Sequence, residues 1–120
     1  MKKKVLIVDD SLFMRTMLKD LLSKQYAIVE ADSAAAAVRQ VTNERPDLVL
    51  LDIVTPEGEK AGVEVLRKLH TTHPNAPVVM VTAVGQNAVM DECRKLGVKD
   101  YIIKPFDEEQ VVKTVEKYLS

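Results

Sequence analysis

The sequence predicts an α/β fold of five parallel strands alternating with five helices, and three observations predict it. Short, continuous apolar runs recur along the chain: Val5-Leu6-Ile7-Val8, Leu48-Val49-Leu50-Leu51, Val78-Val79-Met80-Val81 and Tyr101-Ile102-Ile103. Runs of this kind suit strands buried on both faces of a parallel sheet. Between them lie segments whose apolar residues recur at helical spacing. Each run then stops at a polar residue, at Asp9-Asp10, Asp52, Thr82 and Lys104-Pro105 respectively. Alternating strands and helices imply parallel pairing through right-handed crossovers.

The elements follow in order. After the first strand, Ser11 is a candidate N-cap for a helix with Met14, Met17, Leu18, Leu21 and Leu22 on its apolar face. Residues 26–31 read as the second strand. Ser33 can cap a helix that runs through four alanines to Val38 and Val41, and Pro46 stops it. The strand ending at Asp52 is followed by a polar loop over residues 55–62, which holds Pro56 and two glycines. Val63, Leu66 and Leu69 mark a third helix, closed by His73-Pro74. Beyond Thr82, Gly85-Gln86-Asn87 leads into a short helix with Val89, Cys93 and Leu96, ended by Gly97. Asp107 with Gln110 three residues on resembles a capping box, and Val111, Val112, Val115 and Leu119 form the core face of the last helix.

Length and composition bound what such a chain does. At 120 residues, 47% of them hydrophobic, it is expected to be one domain over residues 1–120 with a real core. A net charge of -1 offers no general attraction to nucleic acid, and no apolar run approaches the ~20 residues of a membrane span. The single cysteine, Cys93, excludes an internal disulfide and fits a reducing, cytoplasmic setting. It lies on a core face and reads as a small buried hydrophobe. Asp32 and Asp100 read as loop residues.

In a parallel α/β sheet, ligands bind outside the carboxyl ends of the strands. Asp9, Asp10, Asp52, Thr82 and Lys104, far apart in sequence, are therefore expected to converge at one edge. Taken singly, the aspartate pair reads as a cap or solvated turn, Asp52 as a turn residue, Thr82 as a cap and Lys104 as a surface lysine. Together, three carboxylates, a hydroxyl and an ammonium outline a phosphate-and-metal site.

On Val8-Asp9-Asp10-Ser11, Leu51-Asp52, Pro56, Val81-Thr82-Ala83 and Lys104-Pro105-Phe106, in that order, the whole chain resembles the receiver domains of two-component response regulators, of the CheY-like kind. The resemblance implies a flavodoxin-like, doubly wound (βα)5 fold with strand order 2-1-3-4-5. It implies a phosphoacceptor that catalyses its own phosphorylation and dephosphorylation and turns over no small molecule. Asp52 is then the nucleophile that a sensor histidine kinase phosphorylates, a role open to a carboxylate. Mg²⁺ is the implied cofactor, bound directly by Asp10 and Asp52 and by the Val54 carbonyl, and through water by Asp9. Lys104, after which a cis bond to Pro105 is implied, and the Thr82 hydroxyl would meet the phosphoryl oxygens. Thr82 and Tyr101 would form the switch toward the surface of the fourth helix, fifth strand and fifth helix, where a downstream target binds.

Two departures from the family pattern stand out. Thr55 replaces the methionine that often precedes Pro56, and Glu57-Gly58-Glu59-Lys60 reads as a small insertion beside the site. The stretches Asp10-Ser11-Leu12-Phe13-Met14-Arg15 and Thr82-Ala83-Val84-Gly85-Gln86-Asn87-Ala88 resemble stand-alone chemotaxis regulators. That implies a diffusible cytoplasmic regulator of the flagellar motor switch. Val54 and Val84, two residues beyond Asp52 and Thr82, offer no side-chain group to orient an attacking water, so rapid signalling would need a separate phosphatase, and neither nucleic acid nor membrane is an expected partner. The alternatives are a receiver cut from a larger regulator and a single-domain phosphorelay intermediate. A dehalogenase-type phosphohydrolase would need Asp-x-Asp after the first strand, where this chain has adjacent aspartates.

Overall fold

The computed structural model describes residues 2–52, 59–82 and 87–119. In it β1 (Lys4–Val8), α1 (Leu12–Leu22), β2 (Ala27–Ala31), α2 (Ala34–Glu44), β3 (Leu48–Asp52), α3 (Glu59–Thr72), β4 (Val78–Thr82), α4 (Asn87–Lys95), β5 (Asp100–Ile103) and α5 (Glu108–Leu119) alternate without exception. Every strand pairing is parallel and the sheet order is β2-β1-β3-β4-β5, the doubly wound, flavodoxin-like arrangement expected.

The apolar runs are unbroken because the strands bury both faces. Successive side chains of a strand point to opposite sides. Val5, Ile7, Leu48, Leu50, Val79 and Ile102 pack with Leu18 and Leu22 of α1 and Val111, Val115 and Leu119 of α5. Their neighbours Leu6, Val8, Val49, Leu51 and Met80 pack with Ala37 and Val41 of α2, Leu66 and Leu69 of α3, and Cys93 of α4. Burying each such aliphatic side chain is worth roughly 1.5–3 kcal/mol, against about 1 kcal/mol for a helix cap. The core therefore sets where the strands lie, and the caps set where the helices begin.

The expected caps are present. Ser11 Oγ accepts from the Met14 N–H and Ser33 Oγ from the Ala36 N–H, each at 3.2 Å, and Asp107 Oδ1 accepts from the Gln110 N–H at 2.7 Å. At the end of α4, the Gly97 N–H donates to the Arg94 carbonyl and the Val98 N–H to the Cys93 carbonyl. That pairing requires a left-handed residue between them, and Gly97 supplies it with φ +83°.

Three expectations shift. A polar loop is expected over 55–62, but α3 already begins at Glu59, and residues 55–58 lie outside the described ones. Half of the four-residue insertion, Glu59 and Lys60, is thus the start of a helix, and Lys and Ala are good helix formers. Asp100 is not a loop residue but the first residue of β5, opposite Val79. The second strand starts at Ala27, since the Tyr26 N–H still donates to the Leu22 carbonyl at the end of α1. Among the described residues, no helix is long and apolar enough to cross a membrane.

Candidate functional site

Strand register builds the site. β1 and β3 pair Val8 with Leu51, so Asp9 and Asp52 leave adjacent strands at one level. β3 and β4 pair Asp52 with Val81, and β4 and β5 pair Thr82 with Ile103, so Thr82 and then Lys104 follow along the same edge. Strands lie about 4.8 Å apart, so Lys104 must span roughly 10 Å to reach β3 from β5. Its stem does so, and Nζ donates to Asp52 Oδ2 at 2.5 Å. The Lys104–Pro105 bond is cis, as the family pattern implies.

Asp9 and Asp52 are the buried charged residues among those described, at 3% and 7% exposure. Asp9 is held at three points. Its N–H donates to the Ala31 carbonyl at 3.0 Å, its carbonyl accepts from Arg15 Nη1 at 2.7 Å, and its Oδ1 accepts from the Ser11 N–H at 2.9 Å. Its Oδ2 is buried and meets no hydrogen-bond donor. The Asp52 carboxylate lies close to the Asp9 carboxyl group and can bond to it only through a proton. Burial first, and Asp52 second, push the Asp9 pKa from 3.8 up to about 7, against the opposing pull of the Ser11 N–H and Lys104.

An orphaned, buried carboxylate oxygen beside a second carboxylate fits a hard divalent cation. Mg²⁺ prefers one or two carboxylates completed by carbonyls and waters. Asp10 is exposed where β1 gives way to α1. Among the described residues no three acidic, histidine or cysteine side chains gather closely enough to form a ready-made metal cluster. Val54 lies outside the described residues. Thr82 ends β4 as expected, but its side chain also lies outside them.

Tyr101 is half-buried in β5, and its hydroxyl donates to the Met90 carbonyl of α4 at 2.6 Å. The Arg94 guanidinium carbon lies 5.6 Å from the ring centroid. Cys93 is fully buried, as its place on a core face implied. Two residues beside the site carry no role in the sequence reading. Arg15 reaches back from α1 to the Asp9 carbonyl, and Glu30 of β2 accepts from Arg15 Nε at 3.3 Å. The cue was available for Arg15, since a side chain four residues past an N-cap returns over the preceding loop. Glu30 had no cue in the sequence: the expected strand order places β2 beside β1, but only the packing of α1 over both strands brings Glu30 to Arg15.

A family model for the response regulator receiver domain matches residues 5–116. The chain belongs to this family. It is 40% identical over 119 residues to the chemotaxis protein CheY of Thermotoga maritima, covering 98% of both chains. Its fold matches a CheY-like receiver domain protein from Methanospirillum hungatei with a TM-score of 0.90 at 28% identity, over 99% of this chain and 94% of that one. It matches NtrX from Brucella abortus with a TM-score of 0.87 at 28% identity, but there it covers only 28% of the longer chain. Receiver relatives thus include multi-domain regulators as well as stand-alone proteins. As a receiver, the protein is a phosphoacceptor in two-component signalling, a class that works between sensor histidine kinases and downstream effectors, uses Mg²⁺ at its phosphorylation site and does not turn over small molecules.

Proposed function

We propose that the protein accepts a phosphoryl group from a histidine kinase onto Asp52. One observation carries this reading: a buried carboxylate at the end of β3 faces a second buried carboxylate, Asp9, on one side and the Lys104 ammonium on the other. Burial strips water from Asp52, and Lys104 holds its oxygen in one place. As the phosphorus–oxygen bond to Asp52 forms and the bond to the kinase histidine breaks, the Lys104 ammonium is positioned to stabilise charge on the phosphoryl oxygens. The Thr82 hydroxyl is assigned the same task from β4. Asp9, Asp10, Asp52 and the Val54 carbonyl are the groups assigned to hold Mg²⁺, which when bound neutralises phosphoryl charge. Thr82 and Tyr101 are assigned the switch that carries the change to the surface of α4, β5 and α5.

Within this family the reading favoured here is a one-domain, diffusible cytoplasmic chemotaxis regulator acting on a motor-switch target. The near end-to-end similarity to a CheY supports it. The second reading, a receiver within a larger regulator, is supported by the match to part of NtrX. Incubation with acetyl phosphate and Mg²⁺ should add one phosphoryl mass to the intact protein, and Asp52→Asn should abolish the addition. An undiminished adduct on that variant would move the acceptor elsewhere.

A further inference from the structure

Arg15 lies one helical turn beyond the Ser11 cap, and its side chain is only 14% exposed. A nearly buried cation beside an acidic cluster would ordinarily pair with one of the cluster's carboxylates. This one does something else. Nη1 donates to the main-chain carbonyl of Asp9 at 2.7 Å, while Nε donates to Glu30 Oε1 at 3.3 Å. Glu30 is steadied in turn by Lys19, whose Nζ lies 3.7 Å from Oε2. The planar guanidinium thus ties the end of β1 to β2 from its seat on α1. Donors that diverge at fixed angles suit such a bridge, which a single ammonium could not make.

The Asp9 carbonyl belongs to the peptide between Asp9 and Asp10. Holding that oxygen orients the peptide plane, and with it the direction in which both acid side chains leave the chain. The Asp9 N–H is already fixed to Ala31 and its Oδ1 to the Ser11 N–H. The Arg15 contact completes the set, with Oδ2 buried and short of a donor.

We propose that Arg15 is a positioning residue for cation binding: by clamping the Asp9 carbonyl against Glu30, it holds the Asp9–Asp10 peptide in the orientation that Mg²⁺ requires. The proposal rests on the reading of Asp9, Asp10 and Asp52 as the Mg²⁺ site. Groups that orient metal ligands typically matter tenfold or more in affinity when removed.

Charge and positioning predict opposite signs. Removing a cation from beside carboxylates should, by Coulomb attraction alone, tighten Mg²⁺ binding. Loss of positioning should weaken it. The experiment is a Mg²⁺ titration of the full chain followed by amide chemical shifts, on the wild type, Asp10→Asn, Arg15→Met and Arg15→Lys. Melting of each is also followed in EDTA and in Mg²⁺. The expected result is binding about tenfold weaker in Arg15→Met and several-fold weaker in Arg15→Lys, with a smaller Mg²⁺-induced rise in Tm for both. A purely structural role would lower Tm equally in both buffers and leave the affinity alone. Arg15→Lys keeps the charge and carries the test if the methionine variant does not fold. Binding as tight as wild type, or tighter, in the Arg15 variants overturns the proposal while the site reading stands. Absence of Mg²⁺ binding in the wild type, or undiminished binding in Asp10→Asn, overturns the site reading and the proposal with it.

Discussion

Lys104 Nζ sits 2.5 Å from Asp52 Oδ2 although their strands, β5 and β3, are separated by β4. The contact is made by length of side chain, and the register of three strands aims it. Lys104→Met should therefore slow acetyl phosphate labelling of Asp52 by about ten- to a hundredfold, on the order of 1–3 kcal/mol of lost charge stabilisation. The rate of phosphoryl mass gain measures it. An unchanged rate would take Lys104 out of the reaction.

The raised pKa of Asp9 makes metal-free stability depend on pH in an unusual direction. Folded Asp9 keeps its proton up to about pH 7, while the unfolded chain releases it near 3.8. Between those values the folded state binds more protons, so the contribution of Asp9 to stability falls as pH rises through the window and is flat on either side of it. The fall is at most about 4 kcal/mol. Urea unfolding in EDTA should show the wild type losing stability from pH 5 to pH 8, with Asp9→Asn flattening the slope and melting higher at pH 8. Parallel pH profiles for the two proteins would show that Asp9 is not the group responsible.

Tyr101 is tied to α4 through the Met90 carbonyl, so a change at the strand ends has a route to that helix. Addition of beryllofluoride, which mimics the phosphoryl group, should shift amides through residues 90–118 as well as those around Asp52. Tyr101→Phe removes one hydrogen bond, worth about 1 kcal/mol, and should alter the size of the distant shifts while leaving those near Asp52 in place. Shifts confined to the strand ends in the wild type would end the switch assignment.

The lifetime of the phosphorylated form is predicted to depend on two positions outside the described residues. In receivers, the residues two beyond the acceptor aspartate and two beyond the switch hydroxyl flank the path of the attacking water, and here they are Val54 and Val84. Neither side chain can hydrogen-bond a water, so self-dephosphorylation should be about ten- to a hundredfold slower than with polar residues at both, on the order of 1–3 kcal/mol. Val54→Asn combined with Val84→Glu should speed decay of the Asp52 phosphoform in Mg²⁺. A wild-type half-life of seconds, or no acceleration in the double variant, would refute this.

The sequence by itself determined the order of strands and helices, the starts of α1, α2 and α5, and the edge at which polar residues gather. An unbroken run such as Leu48 to Leu51 can be satisfied only with both faces covered, and Ser11, Ser33 and Asp107 cap their helices through bonds that span three residues. These are local or periodic effects, and they are written in adjacent residues. The Asp9, Asp52 and Lys104 constellation was legible for the same reason, since every strand of a parallel sheet delivers its last residue to one edge. Only the tertiary structure decided what those groups meet there. Which helix covers which face, the reach of Lys104 across β4, the burial that leaves Asp9 Oδ2 without a donor, and the bridge from Arg15 to Glu30 all depend on strands that pair across long sequence separations. Desolvation and the facing charge of Asp52 raise the Asp9 pKa, and both arise from packing between residues 43 positions apart, which no spacing pattern in the chain encodes.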